Sequence, residues 1–184
     1  MKILYNTKIA SLLKSPSYLF FDTSSLNLII QYEKQFVDLL KTLNDSSIAF
    51  TTIPSVYFEF SRTDDFNVFI KRKSFFQSIL RVYPIETHYQ EYKHLIPILH
   101  KIKKTASYTD FLLYCCLYKF SNSYLITENH RDFTTSLLDR EQIITVDGDG
   151  EQIRNTAIYS FNKDKYEKIA EHILKHSKTD LDAL

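Results

Sequence analysis

Short, mostly apolar runs that stop at polar residues constrain the fold of this chain more than any other feature. The runs are Tyr18–Phe21, Ile48–Thr52, Val82–Ile85, Tyr124–Thr127 and Ile143–Val146. Unbroken apolar runs of roughly four to eight residues are typical of strands that are buried on both faces of a parallel sheet. We therefore expect five strands at these positions.

The segments between these runs show helical spacing of their apolar residues. The predicted helices are Leu26–Leu40, Pro54–Glu59, Asp65–Leu80, His88–Lys104 broken at Pro97, Asp110–Ser121, Phe133–Leu138 and Asp164–His176. The helix that begins at Asp110 is apolar on almost every side, which predicts a position in the middle of the fold. The alternation of strands and helices predicts an α/β fold with a mainly parallel central sheet and helices on both faces.

The chain length and the absence of linkers favour one domain. The 184 residues are 44% hydrophobic, which is enough for a substantial core, and no Pro-, Gly- or Ser-rich stretch interrupts them. We expect a single domain over 1–184, with a lead-in at 1–16, a core at 17–147 and a C-terminal extension with a helix at 148–184.

The composition excludes several functional classes. Gly148 and Gly150 are the only glycines, so neither a P-loop nor a glycine-rich dinucleotide loop is present. Cys115 and Cys116 are adjacent and cannot form a disulfide framework or a zinc site on their own. No apolar run approaches the length of a membrane span, and the first residues do not resemble a signal peptide. We therefore expect a cytoplasmic protein with no membrane association.

Acidic residues follow the predicted strands at the edge where α/β proteins place their active sites. Asp22 follows the first strand, and Glu59 lies one turn into the helix after the second. Asp110 opens the apolar helix, and Asn129 and Asp132 follow the strand that ends at Thr127. Because the carboxyl ends of parallel strands meet at one edge, these side chains are expected to converge there.

Each of these acids also has a structural interpretation. Asp22 and Asp132 could cap helices, and Ser107 to Asp110 has the spacing of a capping box. Glu59 has apolar neighbours, and a lone buried carboxylate is costly. Several carboxylates at adjacent strand ends also repel one another unless a cation lies between them. Oxygen ligands of this kind favour Mg²⁺ or Mn²⁺.

Four motifs in order resemble those of the PIN-domain nucleases, and most closely the VapC-type toxins of toxin–antitoxin pairs. The motifs are Asp22-Thr-Ser-Ser-Leu26, Pro54-x-x-x-x-Glu59, Thr109-Asp110 and Leu125-Ile-Thr-x-Asn-x-x-Asp-Phe133. The resemblance covers about Tyr18 to Val146, which is most of the chain.

The resemblance implies a metal-dependent endoribonuclease that hydrolyses RNA phosphodiester bonds. The residues implied to hold Mg²⁺ or Mn²⁺ are Asp22, Glu59, Asp110, Asn129 and Asp132, and the four acids among them are the implied catalytic residues. Ser24 and Thr127 are the implied supporting residues. Which of Asn129 and Asp132 lies nearer the metal stays open. An antitoxin partner and a homodimer are further implications of the resemblance.

Two departures from the family pattern leave a second interpretation open. Glu128 stands where these toxins more often have a basic or neutral residue, and it adds negative charge at the site. The lead-in and the segment after Val146 also make the chain longer than a minimal toxin. The alternative is a catalytically silent PIN-like module that binds RNA or protein.

The charge distribution predicts where RNA binds. Between Lys71 and Lys104 there are eight Lys and Arg residues and two Glu residues, whereas Thr127 to Glu151 holds seven acids and two Arg residues. A basic surface beside an acidic site suits an RNA-binding nuclease, although Lys runs often form a solvated helix face. The candidate RNA-binding residues are Lys71, Arg72, Lys73, Lys101, Lys103, Lys104 and Arg131. Tyrosines among the bases could stack on unpaired nucleotides, namely Tyr83, Tyr89, Tyr92 and Tyr108.

Overall fold

A computed structural model describes residues 2–6, 8–13, 17–102, 106–147 and 153–181 of the chain. The strands are β1 (Lys2–Leu4), β2 (Ser17–Phe21), β3 (Ile48–Thr52), β4 (Arg81–Val82), β5 (Ser123–Thr127), β6 (Leu138–Asp147) and β7 (Arg154–Phe161). The α-helices are α1 (Ile9–Leu12), α2 (Thr23–Gln31), α3 (Glu33–Asp45), α4 (Pro54–Ser61), α5 (Phe66–Ile79), α6 (Leu95–Ile102), α7 (Tyr108–Lys119) and α8 (Lys163–Leu181). Short 3₁₀ helices cover Ile85–Thr87 and Tyr89–Tyr92.

Within the described residues the strands form one seven-stranded sheet with the order β1-β6-β7-β5-β2-β3-β4. The neighbours β5, β2, β3 and β4 are parallel. By contrast, β7 is antiparallel to β5, β6 to β7, and β1 to β6. The predicted α/β class is confirmed, but the sheet is mixed and is mostly parallel only in its centre.

The chain path explains how helices come to cover the sheet. From β2 the chain passes through α2 and α3 to β3, and then through α4 and α5 to the edge strand β4. It then returns in the opposite direction through α6 and α7 to β5. Because such crossovers are right-handed, the returning helices lie on the opposite face from the outgoing ones. In agreement, α4 packs on α2 and α5, whereas α6 packs on α7 and α8.

The strands at the centre of the sheet and the helix α7 hold the core together. Every residue of β5 is buried, and Phe111 to Leu117 of α7 are buried without interruption. Each buried Leu or Phe side chain contributes on the order of 1.5–3 kcal/mol relative to an exposed one. The prediction that this apolar helix packs on all sides in the middle of the fold is therefore confirmed.

Segments predicted to flank the core are parts of the sheet. Strand β1, from the lead-in, pairs with β6 so that Ile3 lies opposite Val146. Strand β7, from the predicted extension, lies between β5 and β6. The predicted C-terminal helix is present as α8 and begins directly after β7.

Two predicted helices need correction. The segment Phe133–Leu138 is not helical: it forms turns in which Phe133 and Leu137 are buried, and β6 begins at Leu138. The predicted helix over 26–40 is interrupted at Tyr32, where α2 ends and α3 begins.

Two prolines differ from the predictions: Pro97 was expected to break a helix, and Pro84 was expected to lie within a strand. Pro97 is the third residue of α6 and does not divide a helix. A first-turn N–H has no acceptor within its helix, so proline removes no hydrogen bond there. Pro84 directly precedes a 3₁₀ helix, which shortens the predicted strand to Arg81–Val82.

Among the helices that the structure describes, none combines the length and the apolar composition needed to cross a membrane.

Candidate active site

Among the parallel strands, β2 is the position from which the chain moves first to one side of the sheet and later to the other. From β2 the chain moves to β3 on one side, whereas the neighbour on the other side, β5, is reached only by the return path. In open α/β sheets, loops separate at such a switch point and leave a crevice at the carboxyl ends of the strands. Here those ends are Asp22 after β2 and Glu128 after β5.

Asp22 caps α2 and is fixed by four hydrogen bonds. Its Oδ1 accepts from the Ser25 backbone N–H at 2.8 Å. The Ser24 hydroxyl lies 2.9 Å from Oδ1 and 2.8 Å from Oδ2, and the Thr127 hydroxyl donates to Oδ2 at 2.5 Å. The two predicted supporting residues therefore both contact this carboxylate.

The charge of Asp22 is poorly compensated by the protein. The residue is 6% exposed, and burial raises the pKa of its carboxyl group above the ordinary value, although hydrogen bonds from Thr127, Ser25 and Ser24 oppose the shift. Desolvation disfavours the charged form of an acid. A cation in the crevice would reverse this effect.

Glu59 reaches the same crevice from α4. Its Oε2 accepts from the Thr23 hydroxyl at 2.7 Å and its Oε1 from the Thr109 hydroxyl at 2.5 Å. The expectation of a buried Glu59 is wrong: α4 turns Val56 and Phe60 inward, and Glu59 is exposed. Its carboxylate joins the first turns of α2 and α7.

Asp110 has the capping role that its spacing suggested. Its Oδ2 accepts from the Ser107 backbone N–H at 2.9 Å and from the Ser107 hydroxyl at 2.8 Å. In return, the Asp110 N–H donates to the Ser107 hydroxyl at 3.1 Å, which completes a capping box. Among the described residues, hydrogen bonds reach only Oδ2 of this carboxylate, so Oδ1 can take part in other contacts.

Asn129 and Asp132 form a turn after β5. The Asn129 side-chain amide donates to Asp132 Oδ2, and the Asp132 N–H donates to the Asn129 backbone oxygen at 3.1 Å. The Asp132 backbone oxygen accepts from the Tyr114 hydroxyl at 3.2 Å, which ties the turn to α7. Because no helix follows, Asp132 is not the helix cap that was considered.

These side chains line one cleft of about 480 Å³, which we call the acidic cleft. Its lining residues are Asp22, Thr23, Ser24, Asn27, Glu59, Ser107, Thr109, Asp110, Leu113, Asn129 and Asp132. Four of them are carboxylates, and none of these described lining residues is Lys, Arg or His. All five predicted metal ligands thus share one cleft. Their roles in metal binding and catalysis remain predictions.

The acidic cleft has oxygen ligands that suit a hard cation, but several of these oxygens already accept hydrogen bonds from hydroxyl groups. Carboxylate and amide oxygens are the ligands that Mg²⁺ and Mn²⁺ prefer. Within the described part of the chain, no three His, Cys, Asp or Glu side chains are already arranged to hold a metal ion. Glu59 in particular is turned to Thr23 and Thr109, and it would have to exchange these bonds for a cation. The residue types fit the metal, whereas the arrangement of Glu59 requires a side-chain rotation.

Glu128 is not among the residues that line the acidic cleft, and an arginine compensates its charge. Arg154, the first residue of β7, donates from Nε to Oε1 at 3.0 Å and from Nη2 to Oε2 at 2.5 Å. Burial raises the pKa of Glu128, and the Arg154 guanidinium opposes the shift. Arg154 also donates to Gln31 at the end of α2. The fold thus compensates the acid that departs from the family pattern.

The candidate RNA-binding bases do not form one surface. Lys71, Arg72 and Lys73 lie on α5, whereas Lys101 lies on α6, and these helices belong to opposite faces of the sheet. Arg72 is engaged in the fold, because it donates to Phe60 O at 2.9 Å and Asn27 Oδ1 at 3.2 Å.

The remaining candidate bases differ in position. Lys71 makes an ion pair of 3.9 Å with Glu33 on the surface. Arg131 is highly exposed, and its Nε lies 3.9 Å from Asp132 Oδ1 beside the acidic cleft. Lys103 and Lys104 lie outside the described residues.

The side chains that hold the acidic residues in place were not predicted from the sequence. Thr23 and Thr109 each stand next to a predicted metal ligand, and hydroxyl residues beside acids in a strand-end motif could have been recognised as partners. Arg154 was missed because β7 was not predicted, although Arg154 to Phe161 has the aromatic and β-branched content of a strand.

Comparisons with known proteins leave the family of this chain unassigned: no protein-family model matches it, nor does any curated protein or any solved structure.

Proposed function

We propose that this chain is a PIN-like endoribonuclease that hydrolyses RNA phosphodiester bonds with Mg²⁺ or Mn²⁺. The observation that carries the proposal is the acidic cleft, which gathers four carboxylates at the switch point of the sheet, with no basic side chain among the lining residues that the structure describes. The order of the four motifs supports the PIN assignment and, with it, a toxin of a toxin–antitoxin pair in the cytoplasm. An antitoxin and a second copy of the chain are the partners that the resemblance implies.

The oxygen atoms of Asp22, Glu59, Asp110, Asn129 and Asp132 would hold the cation. When bound, the cation supplies positive charge at the scissile phosphate and lowers the pKa of the attacking water. Ser24 and Thr127 hold the Asp22 carboxylate in one orientation, so its position does not depend on the cation. Asp110 or Asp132 accepts the proton of the attacking water, because each presents a carboxylate to the acidic cleft.

A specific observation also favours the alternative, a catalytically silent module that binds RNA or protein. Asp22 and Asp110 cap helices, and both oxygens of Glu59 accept bonds from threonines. These bonds satisfy the acids without a metal. Capping does not account for the convergence of four carboxylates from different elements on one cleft, however, and we therefore prefer the nuclease.

The experiment that separates the two functions replaces Asp22 or Asp110 by Asn. Asn caps helices about as well as Asp, so both variants should fold. If the acids hold a catalytic cation, RNA cleavage in Mg²⁺ or Mn²⁺ falls at least a hundredfold, which is about 3 kcal/mol of transition-state stabilisation. Cleavage of a mixed single-stranded RNA is measured with and without EDTA.

Asp65→Asn is the matched control. Asp65 caps α5 by accepting from the Asn67 and Val68 N–H groups at 2.8 and 3.2 Å, and it lies outside the acidic cleft. This variant should cleave like the parent. Full activity of Asp22→Asn or Asp110→Asn would refute the nuclease, and so would parental cleavage that EDTA does not stop.

A further inference from the structure

A second cavity lies on the other side of the α7 N-terminus. This cavity of about 280 Å³, which we call the aromatic pocket, is lined by Tyr89, Ile96, Leu99, His100, Ala106, Ser107, Tyr108 and Phe111. Ser107 lines both the aromatic pocket and the acidic cleft. The two cavities are therefore neighbours that share one wall.

Three aromatic rings that contact one another line the aromatic pocket. The Tyr108 and Tyr89 rings meet edge to face with centroids 5.7 Å apart, and Tyr89 meets Phe111 in the same way at 6.4 Å. Tyr108 is nevertheless 54% exposed. An aromatic ring that its neighbours hold in place loses little conformational freedom when a ligand stacks on it.

Tyr92 and Tyr83, which were also predicted to stack on nucleotides, do not combine an exposed ring with a place in the aromatic pocket. Tyr92 is buried, and Tyr83 packs edge to face on Phe120 with centroids 5.1 Å apart while Lys119 lies over its ring. Only Tyr108 and Tyr89 of the four line the aromatic pocket.

We propose that the aromatic pocket takes one unpaired base of the RNA strand whose phosphodiester lies in the acidic cleft. This inference rests on the proposed function. A strand that continues from the acidic cleft past Ser107 brings its next base to the apolar rings of the aromatic pocket. The volume is small for a binding site, which suits a single planar ring system.

The charges at the aromatic pocket favour a nucleic acid. Its described lining residues include no acid, whereas His100 lines it and Lys101, the next residue of α6, is exposed. Lys101 is thus available to a phosphate of a strand that passes the aromatic pocket. An apolar side chain of a partner protein would gain nothing from this charge, and it is the competing occupant.

The test measures RNA binding in Mg²⁺ on an Asp22→Asn background, so that cleavage does not consume the probe. The probe is a short single-stranded RNA, and a second set carries one abasic site at each position in turn. Tyr108→Leu keeps apolar volume but removes the flat ring, and we expect about tenfold weaker binding. Tyr108→Phe should bind like the parent, and Phe66→Leu is the control for an exposed ring elsewhere.

The abasic probes identify the occupant. At one position of the RNA, removal of the base should weaken binding to the Asp22→Asn protein about tenfold. The same removal should abolish the difference in affinity between the Asp22→Asn protein and the same protein with Tyr108→Leu. If Tyr108→Leu binds every probe like the parent, or if the difference survives all abasic substitutions, the base pocket is refuted. Binding that depends on Tyr108 without any cleavage by the wild type refutes the nuclease but keeps the pocket. The absence of RNA binding refutes both.

Discussion

The two halves of the sheet treat acidic residues differently. In the parallel half, β5-β2-β3-β4, the loops at the carboxyl edge bring Asp22 and Glu59 into a cleft whose described lining residues include no basic side chain. The antiparallel half, β1-β6-β7, and the helix after it supply basic partners to acids. Arg154 at the start of β7 binds Glu128 directly after β5, and Lys165 of α8 donates to Asp139 of β6 at 2.8 Å.

The difference follows from strand direction. Parallel strands deliver all their carboxyl ends to one edge, so polar loop residues accumulate there. Antiparallel strands divide their ends between both edges, and oppositely charged residues from adjacent strands or helices meet. Arg154 and Lys165 compensate Glu128 and Asp139, whereas four carboxylates lie together in the acidic cleft with no basic residue among its described lining residues.

The largest expected effect comes from adding a cation to the parallel half. At a Mn²⁺ concentration about a hundredfold above its dissociation constant, the free energy of unfolding should rise by about 2.7 kcal/mol. Asp22→Asn should lose most of this gain, because it removes a buried anionic ligand. Asp139→Asn should retain the gain in full. Thermal unfolding with and without Mn²⁺ provides the measurement, and equal gains in all three proteins would contradict the comparison.

The next effect comes from breaking the charge pair that links the halves. In Arg154→Met the half-buried Glu128 carboxylate loses both guanidinium bonds, and the free energy of unfolding should fall by about 2 kcal/mol. Urea unfolding provides the measurement. The matched variant is the double substitution Glu128→Gln with Arg154→Met, which leaves no buried charge and should recover part of the loss. A double variant that is as unstable as the sum of the single ones would show that the pair is not coupled.

The smallest effect is an opposite response of the two halves to pH in EDTA. The folded pKa of Asp22 lies above its ordinary value of 3.8, so the folded state holds this proton more tightly than the unfolded state. Asp22 therefore lowers stability as the pH rises from that value through its folded pKa. Over this pH range, the free energy of unfolding of Asp22→Asn should increase relative to that of the wild type. Urea unfolding at successive pH values shows the gain, and a constant difference would contradict it.

Asp139 gives the opposite slope in the same experiment. Lys165 lowers the pKa of Asp139 below 3.8, so the pair stabilises the fold above that pH and loses its effect as the pH falls through the folded pKa. This surface pair contributes about 0.2–1 kcal/mol. The free energy of unfolding of Asp139→Asn should thus approach that of the wild type only at low pH.

The sequence predicted the parallel half better than the antiparallel half, for a physical reason. Strands β2, β3 and β5 are buried on both faces and appear as apolar runs that stop at polar residues. Strand β6 is only partly buried and contains Asp139, Arg140 and Glu141, so only its apolar end was predicted. The short β1 is stabilised by its pairing with a distant strand, which no local pattern reveals.

The site could be predicted in outline but not in its hydrogen bonds. The positions of Asp22 and Asp110 after apolar runs are local features, and strand-end convergence brought them together. The bonds from Thr23 and Thr109 to Glu59 join residues 36 and 50 positions apart in the chain. Such partners depend on the orientation of three helices, which the spacing of residues does not determine.

The position of β7 also has a consequence for synthesis. A ribosome produces β5 and β6 before β7, yet β7 lies between them in the sheet. Until Arg154–Phe161 has emerged, β5 presents an open edge of unpaired backbone groups to other chains. We therefore expect nascent or truncated chains that end before β7 to aggregate or to require a chaperone. Of the strands that the structure describes, β7 is synthesised after its two neighbours and joins them.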